Sequence, residues 1–399
     1  MDEILEKMEK GIPVEYNDVR IIGDIYTINR NIIFEKIVIK NSEIDGLINF
    51  NNLVVKSKFI FENVKFLKSI SIINTKFKDE FSFKNSALLD NIYFSSSLDK
   101  IADFSKVKFK SAHFLKSTFR GGSIFKEAWF LEDSSFAQCD FDRDTSFSSS
   151  YFRGNVSFED ITFKGETNFF FSFFAKDISF IDIDFDNLQF SESFCGGVTR
   201  FSRVNIFESA KFCHVMFSYD LILEKSKANR ILIPWDSIKN NIKFNKDIIF
   251  DLYKNYESLN WSYDADECYY YYRDFLRKEQ KLDKNVTYDY LEWFASGYGV
   301  RQLRIIPALF SIIFFFAFIY WQGDGISHNV AIENQTLLSS ISDAIIFSGI
   351  AFIAKVPTDL KAEGIFIYIA IIEAIAGWLL WAIYINSVLD YRKGRIKKN

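Results

Sequence analysis

Between residues 104 and 217 the apolar positions keep a step that suits neither a helix nor a flat strand. Phe119, Phe130, Phe141, Phe152, Phe163, Phe174 and Phe185 are evenly spaced, and Phe125, Phe136, Phe147, Phe158, Phe169 and Phe180 form a second series with the same spacing. Together they alternate steps of five and six. Echoes precede them at Phe61, Phe66, Phe77, Phe83, Phe94, Phe104, Phe109 and Phe114, and follow at Phe201, Phe207, Phe212 and Phe217. In a helix, a step of five turns the side chain to the far face; in a strand, any odd step flips it. A chain that turns a corner every five or six positions keeps one Phe inward per short extended face. Two positions before each Phe stands a small or β-branched residue, such as Val107, Ala112, Ser117, Ala128, Cys139, Thr145, Val156, Ile161 or Ser172. That predicts a second, tighter inward slot, with polar residues between pointing outward.

The pattern fades after Phe217. Residues 221–246 hold strand-like pieces, among them Ile231 to Trp235, that would cap the open end, whose unpaired edge invites association. Two helical patterns follow, from Asp251 to Asn260 and from Asp264 to about Lys281. In the second, Asp264 is the N-cap and Glu267 completes a capping box. Its Tyr269–Tyr272 run is open to packing, to a place near lipid headgroups, or to a ligand. Gly297-Tyr298-Gly299 repeats the potassium-filter tripeptide, but it precedes the first apolar span and no pore-helix pattern leads into it. It reads as a flexible elbow.

Ile305 to Trp321 is uncharged, and with its flanks gives about 20 residues, enough to cross a hydrocarbon core of about 30 Å. Ile365 to Leu389 is a second span, interrupted only by Glu373. Arg301 and Arg304 precede the first; Arg392, Lys393, Arg395, Lys397 and Lys398 follow the second. Both termini are therefore expected in the cytoplasm, in a multi-pass protein of the cell (inner) membrane. Between the spans, Leu337 to Val356 is apolar but broken by Ser339, Ser340, Ser342, Asp343 and Lys355. A third crossing would put the basic tail outside. A re-entrant helix over 338–359 fits instead, which requires that its irregular return be buried in protein or line a cavity.

Composition narrows the classes. With 399 residues the chain has room for two or three domains. Its 48 Lys and Arg against 52 Asp and Glu, a net charge of -4, argue against a nucleic-acid partner. Four Cys without a CxxC pair and three scattered His exclude a disulfide scaffold, a zinc ribbon and a His-built metal site. No nucleophile–base pair or phosphate loop stands out, so neither an enzyme nor a cofactor is expected. Met1 to Lys10 lacks the apolar region of a signal peptide. Along the repeats charge divides: sixteen Lys and Arg against nine acids from Arg30 to Arg120, a net of +7, then four against thirteen from Glu132 to Glu192, a net of -9. The acidic band is open to two readings, a solvated face or a duplex-like surface.

The Phe spacing, and stretches such as Gly154-Asn155-Val156-Ser157-Phe158-Glu159-Asp160-Ile161-Thr162-Phe163, resemble the pentapeptide-repeat family in its Phe-rich, 11-residue variant. The resemblance implies a right-handed, four-sided β-helix. With two units per coil and a rise of about 4.8 Å, residues 50–217 would form about seven or eight coils, on the order of 35–40 Å. Span, re-entrant helix, span resembles the two-transmembrane pore-loop channels of the potassium-channel type. The pore helix is carried by Asp343-Ala344-Ile345-Ile346-Phe347-Ser348, and the inner helix by Glu373 followed by Gly377. The resemblance implies an oligomer, a homotetramer, around a permeating ion. Pentapeptide-repeat rods fused to such pores recur in prokaryotes.

At the filter the sequence departs from the family. Ala354, Lys355, Val356, Pro357, Thr358 and Asp359 stand where threonine, valine, glycine, tyrosine, glycine and aspartate are usual. Inward carbonyls need the freedom of those glycines, which Val356, Pro357 and Thr358 lack. Potassium selectivity is therefore expected to be absent. Two roles are open to Lys355: a cationic ring, or snorkelling to the mouth beside Asp359. The expected organisation is a mixed architecture: an N-terminal cap (1–30), a β-helix (31–220), a capping segment and helical junction (221–302), a transmembrane pore unit (303–390) and a basic tail (391–399). The expected function is an ion channel, gated or scaffolded by a cytoplasmic rod that is open to a protein partner. The alternative is a membrane-anchored scaffold that conducts nothing.

Overall fold

The structure is a computed structural model, described for residues 2–27, 32–279, 286–328, 337–355 and 359–396. It divides into two compact units, residues 1–255 and 256–399.

The first unit is a parallel β-solenoid of about ten turns. One turn uses four short strands, for example Ser134–Ala137, Asp140–Phe141, Thr145–Ser146 and Tyr151–Phe152. The next turn lies directly on it: Ser134 pairs with Val156, and Val156 in turn with Ile178. Two repeat units therefore make one coil, as the resemblance implies. The inward Phe form ladders. Ring centroids in the Phe125–Phe147–Phe169 column are 4.8 Å apart at each step, and neighbouring columns meet edge-on, as Phe136 and Phe147 do at 5.4 Å. These rings are buried, as are the small residues two places before them. Phe207 is the exception among the echoes: it is exposed, and Ile206 takes the inward place on Phe185. Serines in the tighter slot satisfy their hydroxyls on the preceding coil: Ser150 donates to the Phe125 carbonyl at 2.6 Å and Ser172 to that of Phe147 at 2.7 Å.

The rod is longer than the Phe echoes imply. Its strands pair from Val14, which lies on Ile37, and continue to Leu232. The early coils fill the inward slot with Ile, Val and Leu, such as Ile21, Ile25 and Ile48, so the Phe signal misses them. Helix α1 (Asp2–Glu9) precedes the first strand. Past the last coil come α2 (Trp235–Ile238) and α3 (Lys246–Ser258). Asn255 of α3 meets the last coil as a further strand would: its Oδ1 accepts from the Ile231 N–H at 2.9 Å and its Nδ2 donates to the Ile231 carbonyl at 2.8 Å.

Most repeat units also turn one corner in the left-handed region. Asn41, Asn52, Asn63, Asn74 and Asn85 take it with φ of 48–59°, and later coils use Lys116, Glu127, Gln138 and Asp160. Asn tolerates this conformation, whereas longer L-residues pay about 1–2 kcal/mol. Gln138→Asn should therefore raise stability by roughly 0.5–1 kcal/mol, read as a higher denaturation midpoint.

The second unit holds α4 (Ser262–Glu279), α5 (Val286–Ser296), a 3-10 turn Gln302–Arg304, α6 (Ile305–Gln322), α7 (Leu337–Phe352) and α8 (Phe366–Ile396). Helix α4 begins before Asp264, which lies in the first turn instead of at the N-cap; its negative charge still suits that end of the helix. Residues 397–399 of the basic tail lie outside the described residues.

Candidate functional site

Helices α6 and α8 are long and apolar enough to cross a membrane, over Gln302–Gln322 and Phe366–Leu389. Only 22% and 17% of their apolar windows are buried, unlike the mostly buried core helix of a soluble fold. Phe310, Phe314 and Phe318 on α6, and Ile371, Ile375 and Trp378 on α8, face outward.

Helix α7 packs between them. Its Ala344 and Phe347 meet Ala317 and Tyr320 of α6, and its Phe352 meets Ala308 and Leu380, so α7 runs antiparallel to α6. Glu373 is fully buried against it. The Tyr320 hydroxyl donates to Glu373 Oε2 at 2.8 Å. The Ser348 hydroxyl bridges Glu373 Oε1 and the Ile313 carbonyl. One acidic side chain thus ties α6, α7 and α8 together, and its burial is matched by hydrogen bonds. Glu373→Ala leaves the buried Tyr320 hydroxyl short of a partner and Ser348 with the Ile313 carbonyl alone, and should cost about 2 kcal/mol, measurable as a lower melting temperature in detergent; Glu373→Gln, which keeps both contacts, should lose less.

Gly377 lies on α8 against the end of α7. A Cβ there would sit 2.6 Å from the Phe352 carbonyl oxygen. Helix α7 then stops in a Schellman-type cap: Ala354 donates to the Ala351 carbonyl at 2.8 Å and Lys355 to that of Ile350 at 3.2 Å, with Ala354 left-handed at φ 55°. Lys355 and Asp359 are exposed. Val356, Pro357 and Thr358 lie outside the described residues.

Two short strands close the segment. Ile326–His328, just after α6, pairs antiparallel with Leu360–Ala362, just before α8. His328 also reaches Asp343 of α7, at 2.9 Å.

The glycine–tyrosine–glycine turn, expected as a flexible elbow, is packed in the structure. Gly297, Tyr298 and Gly299 all take left-handed φ, of 55°, 62° and 80°. Tyr298 is buried, which pushes its phenol above the ordinary range. Ser296 Oγ receives the Gly299 N–H at 2.9 Å and lies 2.6 Å from Ser387 Oγ of α8. A Cβ at Gly299 would meet Ser387 O and Tyr391 Cβ, both at 2.7 Å. Gly299 therefore permits close packing on α8.

Around this turn, arginines stack on aromatic rings. Arg301 lies 4.1 Å from the Tyr270 ring centroid and pairs with Glu267 at 3.2 Å. Arg304 lies 5.3 Å from the rings of both Tyr270 and Trp293. Arg273 pairs with Asp289 and Glu292, each at 2.9 Å, and lies 4.6 Å from the Tyr298 ring. Tyr391 donates to Asp266. The tyrosine run thus packs, and α4 and α5 grip both the start of α6 and the end of α8. Sequence reading missed Tyr320, His328 and this arginine–aromatic grip. The available signal was a hydroxyl-bearing Tyr inside an apolar span.

Residues 104–150 match the family model for pentapeptide repeats (9 copies). The match covers the first part of the even Phe series, which runs on to Phe185, and does not extend to the helical unit. No curated protein and no solved structure matches the chain.

Proposed function

We propose that this chain is one subunit of an oligomeric membrane pore of the two-transmembrane, pore-loop type, with the pentapeptide-repeat solenoid as its cytoplasmic gating or docking element. The observation that carries the reading is the pairing of Ile326–His328 with Leu360–Ala362. The segment between the spans starts and finishes at one place, as a re-entrant loop must, and α7 lies inside the bundle between those ends. One copy offers two spans and one loop, too few to surround a pathway, so several copies are required; four is the number implied by the channel resemblance.

In this reading Glu373 acts as a brace behind α7, because its carboxylate is fully occupied by Ser348 and Tyr320 and has no face toward water. The pathway residues are Lys355, Asp359 and the stretch between them. Lacking glycine there, the pore is not potassium-selective. The grip of α4 and α5 on α6 and α8 supports a route by which movement of the junction reaches both spans. Arg301, Arg304 and the basic tail put both termini in the cytoplasm. A second reading, an anchored scaffold without conduction, is favoured by Val356-Pro357-Thr358 at the filter position.

Flux through proteoliposomes tests the proposal. Ion flux is expected from the purified protein, and Lys355→Glu should shift the reversal potential toward cations. Absence of current at every voltage and ion tried would leave the scaffold reading. Cysteine labelling that put the two termini on opposite sides of the membrane would overturn the re-entrant loop.

A further inference from the structure

One face of the solenoid differs from the other three. In successive coils its outward position holds Trp129, Tyr151, Phe173, Phe194 and Met216, paired strand on strand. The four rings follow one another at 5.0, 5.1 and 4.7 Å, the first pair tilted and the other two stacked. Trp129 is 46% exposed, Phe173 37% and Met216 62%. On another face of the same coils the equivalent position holds Ser135, Ser157 and Ser179; on a third it holds Asp140, Thr162 and Asp184. Buried Phe already fill the core behind the stripe, so folding does not require these outer rings.

We infer that this aromatic stripe is where the solenoids of two copies of this chain pair side by side, in parallel. Three observations select a second copy. First, the stripe has a side chain at every coil, with a spacing of about 4.8 Å; a partner matching it over five coils has the same repeat. Second, aromatic side chains expose about 150–250 Å² each when bare, so the stripe with its flanks offers roughly 500 Å² of apolar surface. That is at the upper end of what monomers leave bare and, with a polar rim, approaches the ~800 Å² per partner of a stable interface. Third, at the Trp129 level the rim is complementary to itself. A two-fold axis along the stripe lays one edge on the other, so exposed Lys126 on one side of Trp129 meets exposed Glu132 and Asp133 on the other side, twice over. The parallel orientation rests on the membrane reading, since copies in one membrane share an orientation; the pairing itself does not.

The test is disulfide cross-linking of the full chain in liposomes, in a Cys213→Ser background. The buried Cys139, Cys195 and Cys268 are held protonated by burial, the first two with pKa values pushed up to about 11 and about 12, so they do not compete. Like residues face each other across the axis, so Tyr151→Cys and Phe173→Cys should each give a dimer band on mild oxidation. Ser157→Cys, on the neighbouring face, should not. Adding Phe173→Asp to Tyr151→Cys should reduce the band at least tenfold with circular dichroism unchanged. The inference fails if Tyr151→Cys stays monomeric in folded protein, which would leave the stripe to a different protein or to the bilayer surface, or if Ser157→Cys links equally well. A mixed dimer between Trp129→Cys and Met216→Cys chains would show antiparallel pairing and overturn it. None of these readouts depends on ion flux, so failure of the pore reading is seen separately.

Discussion

Phe147→Ala should lower the stability of the solenoid by about 3–5 kcal/mol, the largest loss expected from any one substitution in the rod. The ring is sandwiched at 4.8 Å between Phe125 and Phe169 and touched edge-on by Phe136 at 5.4 Å and Phe158 at 5.6 Å. With Phe152 at 6.3 Å, five rings thus lose a neighbour at once. The stacked coils cannot close the gap, because their spacing is set by backbone hydrogen bonds on all four sides. Denaturant titration followed by circular dichroism would measure it. Phe147→Leu, which refills part of the volume, should lose about half as much. Ser157→Ala, on the outer face, should stay within about 0.5 kcal/mol of the parent. Equal losses for Phe147→Ala and Ser157→Ala would mean that the ladder does not carry the stability.

Gly377→Ala should reduce flux through reconstituted protein at least tenfold, with the chain still inserted in the membrane. The added Cβ lands 2.6 Å from the Phe352 carbonyl oxygen and 3.0 Å from the Phe352 ring. The first contact is backbone, so α8 must move away from α7 rather than a side chain rotating aside. That displacement acts on the last turn of α7, just before Ala354, where the return toward Asp359 begins. Gly349, where an added Cβ meets nothing within 4 Å, is the control: Gly349→Ala should conduct as the parent does. If Gly377→Ala conducts normally, the α7–α8 contact does not position the pathway.

What could be read from the chain beforehand follows from how regular each part is. The Phe step of five and six admits one geometry, and the structure has it, including the tighter slot at Ser150, Thr145 and Cys139. The extent of the rod was not legible, because Ile21 and Ile48 do in early coils what Phe does later. The corner positions were legible in principle: Asn41, Asn52, Asn63, Asn74 and Asn85 keep the same even spacing as the Phe series. In the helical unit, Glu373, Ser348 and Gly377 stood out as polar or small residues in apolar surroundings, and the fold brings them together. Tyr320 and His328 did not stand out, because their partners are 53 and 15 residues away in the chain. At the elbow, left-handed glycines suit a hinge and a tightly packed turn equally well, and the contact of Gly299 with Ser387 and Tyr391 was not legible in the chain.

A rod in which every level is built from two like units can be edited in steps. Duplicating or deleting one whole level leaves everything beyond it on the same side, merely nearer or farther by one strand spacing. Adding a single unit, half a level, is also tolerated by the core, but it swings all that follows halfway around the axis. Height and bearing are therefore separate variables in this molecule, each adjustable by a sequence change that alters no buried contact type.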